Sequence, residues 1–212
     1  MIQIETFIFN PFQENTYLLS DDTGACILID PGCHFENERR QLKDHIKKHR
    51  LQPQLIVHTH GHIDHVLGIN FIKKEYGIKA VMHPDDLSVL RSSKDFGRMV
   101  GLEIDQPGDP ELHVFDDEQV KFGNTSMEVF HVPGHSPGSI ALYHPEEGIL
   151  FPGDVLFRRG IGRTDLMGGD YSTLVRSIKE RLFTLPEDTT VYPGHGEPTT
   201  IGEEKRENPV LS

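Results

Sequence analysis

Residues 59–65 read Thr59-His60-Gly61-His62-Ile63-Asp64-His65. Of these, His60, His62, Asp64 and His65 are metal-ligand types, and imidazole nitrogen together with carboxylate oxygen suits zinc, iron or manganese. The preceding Leu55-Ile56-Val57 is short, apolar and partly β-branched, which reads as a buried strand. Beyond the motif, Val66, Leu67, Ile69, Phe71, Ile72 and Tyr76 recur at helical spacing, and Gly77 can close that helix. The motif therefore sits where a strand hands over to a helix. His60 and His62, two apart in extended chain, point to the same side. The helix start turns Asp64 and His65 another way, so one short loop can serve two metal ions.

Three later stretches repeat one local grammar: a β-rich run, then Pro-Gly, then a ligand residue. They end in Pro133-Gly134-His135, Pro152-Gly153-Asp154 and Pro193-Gly194-His195. An earlier run places its carboxylate just ahead, in Asp30-Pro31-Gly32. Proline ends strand pairing and glycine permits the turn that redirects the chain. Each ligand then hangs from the carboxyl end of a strand, where α/β sheets build their sites.

In this order, Asp30, the His60–His65 block, His135, Asp154 and His195, the chain resembles the metallo-β-lactamase superfamily over nearly its whole length. Within it the likeness is to the short, single-domain glyoxalase II (hydroxyacylglutathione hydrolase) branch. The stretches that carry it are Asn10-Pro11-Phe12-Gln13-Glu14-Asn15, Gly153-Asp154-Val155-Leu156-Phe157, Gly162-Arg163-Thr164-Asp165 and residues 193–209. The fold this implies is a four-layer αβ/βα sandwich, an α/β class, over one domain of residues 1–212. Periodicity alone supports only a mixed α and β chain.

At 212 residues the chain suits one domain with a sizeable core, or at most two small halves. Its 36% hydrophobic and 25% charged content is that of a globular protein. No apolar run approaches the ~20 residues of a membrane helix, and no basic segment opens the chain as in a signal peptide. A cytoplasmic protein without membrane contact is expected. The formal charge of −12 argues against nucleic-acid binding, which needs a basic footprint. Two cysteines, Cys26 and Cys33, form no disulfide framework. Cys26 reads as a small core residue. Cys33, close to the expected site, is either a reactive thiol or, more simply, a loop cysteine.

The first third reads β-rich: strands at 2–9, 16–20 and 25–30, with a hairpin turn at 21–24. An amphipathic helix is expected over 35–50, ended by Pro53, then the metal loop with its helix, then a strand at 79–82. His83-Pro84-Asp85-Asp86 opens another helix. Residues 92–110, rich in Gly, Pro and Asp, read as the least regular stretch, long enough for a mobile loop beside the site. A second β-rich block follows at 112–151, then a helix at 171–185, a strand at 189–192 and a short helix at 201–207.

Carried over residue by residue, the resemblance implies two metal ions. His60, His62 and His135 hold the first; Asp64, His65 and His195 hold the second; Asp154 bridges them. Zinc is the leading identity, with iron or manganese open. Asp30 hydrogen-bonds the ligand loops. The implied chemistry is attack of a metal-bridging hydroxide on a carbonyl carbon, with Asp64 orienting the nucleophile, and a small-molecule thioester of the S-lactoylglutathione type as substrate. In two-domain glyoxalase II a lysine and a tyrosine contact the glutathione portion where this chain carries Arg163 and Asp165. Arg163 keeps a cation able to hold a carboxylate, whereas Asp165 departs. The family's C-terminal helical domain, a further source of contacts, is not expected in the little chain after His195. The alternative within the fold is a mononuclear iron persulfide dioxygenase using His60, His135 and Asp154. The acidic charge disfavours a nuclease, and His65 disfavours a lactamase.

Overall fold

The computed structural model describes residues 1–211. Its first half forms one mixed sheet. Strands β1 (Gln3–Phe9), β2 (Glu14–Ser20) and β3 (Ala25–Ile29) run antiparallel. Helix α1 (Glu36–His49) then crosses to β4 (Gln52–Val57), which lies parallel to β3 with Ile29 opposite Val57. Helices α2 (Ile63–Val66) and α3 (Ile69–Tyr76) lead to β5 (Lys79–Met82), and α4 (Leu87–Met99) leads to the short edge strand β6 (Leu112–His113). The sheet order is β1-β2-β3-β4-β5-β6.

The second half adds β7 (Gln119–Phe122), β8 (Thr125–His131), β9 (Ile140–His144) and β10 (Ile149–Gly153) as an antiparallel meander. A small hairpin of β11 (Leu156–Phe157) and β12 (Gly160–Ile161) follows. Then come α5 (Tyr171–Glu180), β13 (Thr190–Pro193) parallel to β10, β14 (Thr199–Thr200) and α6 (Ile201–Glu207). The sheet order here is β14-β13-β10-β9-β8-β7.

Alternation along the strands makes the layers. Ile27, Ile29 and Val57 of the first sheet pack against Met127, Val129, Ile140 and Leu142 of the second. Cys26, Leu28 and Ile56 turn the other way, onto Leu42 and Ile46 of α1 and Ile69 and Ile72 of α3. Ala141, Tyr143 and Leu150 likewise face Leu174 and Ile178 of α5 and Ile201 of α6. The result is helix, sheet, sheet, helix. Among the described residues no helix is long and apolar enough to cross a membrane.

Three expectations are corrected. Residues 92–99 belong to α4 and are not a loop. Gly97 misled: a Cβ there would lie 2.7 Å from the Leu102 carbonyl oxygen and 3.2 Å from Ile63 Cδ1, so it is a close-approach residue inside a helix. Buried Val89, Leu90 and Ser93 give that helix its packed stripe, and packing overrides the weak propensity of Ser and Gly. The helix expected after the metal loop is two helices, broken at Leu67 and Gly68. Finally, α1 ends because Arg50 adopts a left-handed conformation (φ 55°); Pro53 already lies in β4.

Candidate metal centre

The ligand residues gather where the strands of both sheets end. His60 follows β4, His135 follows β8, Asp154 follows β10 and His195 follows β13. Gly194 is required by crowding, since a Cβ there would lie 2.1 Å from Asp154 Oδ1. The Asn10–Asn15 stretch, which joins β1 to β2, seats the last ligand loop. The Asn15 amide donates to the Pro193 and Gly196 carbonyls at 3.0 and 2.9 Å, and the Asn15 backbone N–H donates to Gly194 O at 2.8 Å.

Two donor clusters result. In the first, His135 Nε2 lies 2.8 Å from His62 Nδ1 and 3.3 Å from His60 Nε2. In the second, Asp64 Oδ2 lies 3.0 Å from His195 Nε2 and 3.6 Å from His65 Nε2. Asp154 touches both: Oδ2 is 3.7 Å from His135 Nε2 and 3.5 Å from His195 Nε2, and Oδ1 is 3.3 Å from His65 Nε2. All seven predicted ligands therefore converge, and Asp154 stands between the clusters.

The surroundings fix which ring nitrogen faces inward. Backbone carbonyls only accept, so His135 Nδ1–H donates to Arg163 O (2.8 Å) and His195 Nδ1–H to Gln13 O (3.2 Å). His65 Nδ1–H donates to Asp30 Oδ2 at 3.0 Å. Thr59 Oγ1 donates to Asp30 Oδ2 at 2.5 Å and accepts from His60 Nδ1–H at 3.0 Å. In each case Nε2 is left with its lone pair toward the centre, the arrangement found around metal-ligating histidines. His65 Nε2 and Asp154 Oδ1 are buried with no hydrogen-bond partner. Buried polar atoms normally have one. Converging lone pairs, two carboxylates and orphaned buried donor atoms fit a pair of divalent cations.

Charge divides the clusters. Burial pushes the His60 and His62 imidazoles down, and the neighbouring histidines add to it; His62 falls to about 3. Burial also opposes the charged forms of His65 and His195, but Asp154 and Asp64 outweigh it and both are raised. Burial pushes Asp30 up, and the His58 and His65 rings more than reverse it, so its carboxyl titrates low. Asp30 itself sits at φ 48°, an uncommon conformation for a residue with a side chain, and its Oδ1 accepts the Thr59 N–H at 2.7 Å.

The centre opens into a cleft of about 420 Å³. Its walls are mostly apolar, with Phe12, Ile63, Phe96, Phe157, Leu166 and Met167 around the ligands. Arg163 also lines it, but its guanidinium makes a two-pronged contact with Asp165, at 2.7 Å for both pairs of atoms. A second cleft of about 430 Å³, near Arg39 and Arg98, holds none of the ligands. Cys33 is fully buried and its thiol is pushed up to about 12 by burial, which removes the reactive-thiol reading.

Several contributors escaped the sequence reading. The Gln13 and Arg163 carbonyls are main-chain groups, which leave no residue-type signal. Asn15 stands out in the sequence only through the family likeness of residues 10–15. Asp86, buried behind the ligand loops, reads in sequence as an ordinary first-turn acid of a helix.

A four-layer fold with two histidine–carboxylate clusters at its strand ends defines a metal-dependent hydrolase class. The sequence profile of the Metallo-beta-lactamase superfamily matches residues 9–195, and the chain belongs to that superfamily. It is 38% identical to the probable metallo-hydrolase YqgX of Bacillus subtilis (strain 168), over 95% of this chain and 94% of that one. It is 36% identical to the hydroxyacylglutathione hydrolase GloC of Haemophilus influenzae, over 100% and 99% of the two chains. To the human mitochondrial persulfide dioxygenase ETHE1 it is 33% identical, over 93% and 71%. Among solved structures, BLEG-1, described as a B3 metallo-beta-lactamase, superposes with a TM-score of 0.91 at 34% identity, covering 99% of this chain and 100% of that one. TTHA1623 in a di-iron-bound form gives 0.88 at 39% identity, covering 98% and 100%.

Proposed function

We propose that this protein is a binuclear metal-dependent hydrolase of thioesters of the S-lactoylglutathione type. The observation that carries the reading is the pair of donor clusters sharing Asp154 at the floor of an open cleft. His60, His62 and His135 would hold one divalent ion; Asp64, His65 and His195 the other; Asp154 both. Zinc is favoured, with iron or manganese compatible with the same donors. When bound, such ions lower the pKa of coordinated water and polarise a carbonyl oxygen.

The chain's own groups fill the remaining roles. Asp64 Oδ2 faces the centre and is placed to hold and orient an attacking water. The apolar walls exclude bulk water and accept the acyl portion. No lysine or tyrosine lines the cleft among the described residues. A thiolate leaves unprotonated, so a thioester needs no such acid. Arg163 at the rim is the available cation for a substrate carboxylate, and binding there requires it to release Asp165. Weak discrimination over the thiol portion follows.

The second reading is a persulfide dioxygenase with one iron on His60, His135 and Asp154, favoured by the comparable identity to ETHE1. The deciding experiment assays one preparation, loaded with zinc or with iron. Its panel is S-lactoylglutathione, a simple aliphatic thioester, a chromogenic β-lactam and glutathione persulfide under oxygen. Thioester hydrolysis in the zinc-loaded protein is expected. Oxygen consumption on persulfide without thioester hydrolysis would replace it with the dioxygenase reading, and β-lactam turnover alone would replace it with a lactamase.

A further inference from the structure

One buried carboxylate near the centre faces away from the cleft. Asp86 ends the short turn Pro84–Asp86 just ahead of α4 and is fully buried. Its Oδ2 accepts from the Gly61 N–H at 2.6 Å and from Ser136 Oγ at 2.9 Å, and its Oδ1 accepts from the Gly138 N–H at 2.5 Å. Gly61 lies between His60 and His62, and Ser136 follows His135. A single side chain thus ties together the two loops that supply the three-histidine cluster. None of its hydrogen bonds reaches the loops of Asp154 or His195.

The loops are shaped to admit it. A Cβ on Gly138 would lie 2.6 Å from the Asp86 nitrogen and 2.9 Å from its Cβ. A Cβ on Gly61 would lie 2.7 Å from Leu90 N and 2.9 Å from the Asp86 carbonyl oxygen. Ser93 of α4 holds the next peptide, donating to Gly61 O at 3.2 Å. Ser136 is itself steadied by Ser139, whose Oγ lies 2.7 Å away. Burial raises the Asp86 carboxyl above its ordinary range, and the Gly138, Ser136 and Gly61 donors pull part of the way back.

We propose that Asp86 is a positioning residue that sets the metal affinity of the His60, His62 and His135 cluster by fixing the His60–His62 loop against the His135 loop. Outer contacts of this kind typically change metal affinity by about 10–100-fold. The idea rests on those three histidines sharing one ion, and is independent of which substrate is cleaved.

The test isolates each cluster. His195→Ala retains the first cluster and His62→Ala the second, and cobalt(II) binding to each is followed by absorbance in competition with a chelator. Asp86→Asn, which puts an amide N–H₂ where only donors point, is then added to both. A loss of about 10–100-fold in the first background, with less than about threefold in the second, is expected. Should Asp86→Asn not fold, Ser136→Ala removes one of the three donors, and a smaller loss confined to the first cluster is expected. Equal losses in both backgrounds would mean that Asp86 only stabilises the fold, and no loss in either would mean that it does nothing for metal; each overturns the proposal. Failure of His195→Ala itself to bind cobalt would overturn the shared-ion reading, and the proposal with it.

Discussion

The two halves of the metal centre are built on opposite electrostatics. In the first cluster burial, with the neighbouring imidazoles adding to it, disfavours a proton on His60 and His62. Asp64, His65 and His195 form a cluster in which carboxylates draw protons onto the histidines. The buried carboxylates behind them differ as well: Asp86 ties only the loops of the first half, whereas Asp30 holds His65 of the second directly and His60 of the first through Thr59. The contrast teaches that seven ligands of only two residue types need not make two equivalent sites. Backbone loops are fixed in both, by Asp86 in the first and by Asn15 in the second, and the second adds carboxylates facing its histidines.

Removing the shared group should blur this difference most. Asp154→Ala is expected to cost both ions, whereas His195→Ala costs chiefly the second. Metal content of the two purified variants checks it, and equal content would break the bridging role of Asp154.

Acid should sharpen the difference. Asp154 and Asp64 raise His65 and His195 above the ordinary histidine value, so in the metal-free protein protons compete there with an incoming ion. Affinity at the second cluster then falls as pH falls, about tenfold per pH unit for each proton displaced. His60 and His62 are depressed, so protons compete less for these two ligands of the first cluster over the same range. Dialysis at stepped pH between 7 and about 5.5 should release the second ion first. Release of the first ion alone, or of both together, would contradict the assignment.

The smallest effect concerns the rim. Arg163→Ala should raise KM for S-lactoylglutathione by about three- to tenfold and change kcat less. It should leave a thioester without carboxylates unaffected. Equal losses on both substrates would mean that the Arg163 side chain does not hold the glutathione portion, leaving its carbonyl, which orients His135, as the residue's contribution.

The asymmetry also marks what the sequence could convey. The ligands were legible because histidine and aspartate are rare chemistry at regular punctuation: the block at 60–65 and three Pro-Gly-ligand turns. The strands were legible because runs such as Ala25-Cys26-Ile27-Leu28-Ile29 read as buried strands, while their division into two facing sheets was implied by the family resemblance. Of the groups that fix the ligands, Asp30 was legible and the others were not. Asp86 acts through backbone N–H groups of Gly61 and Gly138, and Gln13 and Arg163 act through carbonyls, atoms that every residue carries. Helix α4 was hidden because Gly97 is chosen for contact with Leu102 and Ile63, against local propensity. The Arg163–Asp165 pair depends on how an irregular loop folds, which spacing alone does not give.

Crystallography of the fully metal-loaded protein, with anomalous scattering to place the ions, tests the central claim most directly. Two ions about 3.5–4 Å apart, both in contact with Asp154, are predicted. A single ion on His60, His135 and Asp154, with His65 and His195 turned away at full loading, would contradict the account and favour the mononuclear alternative.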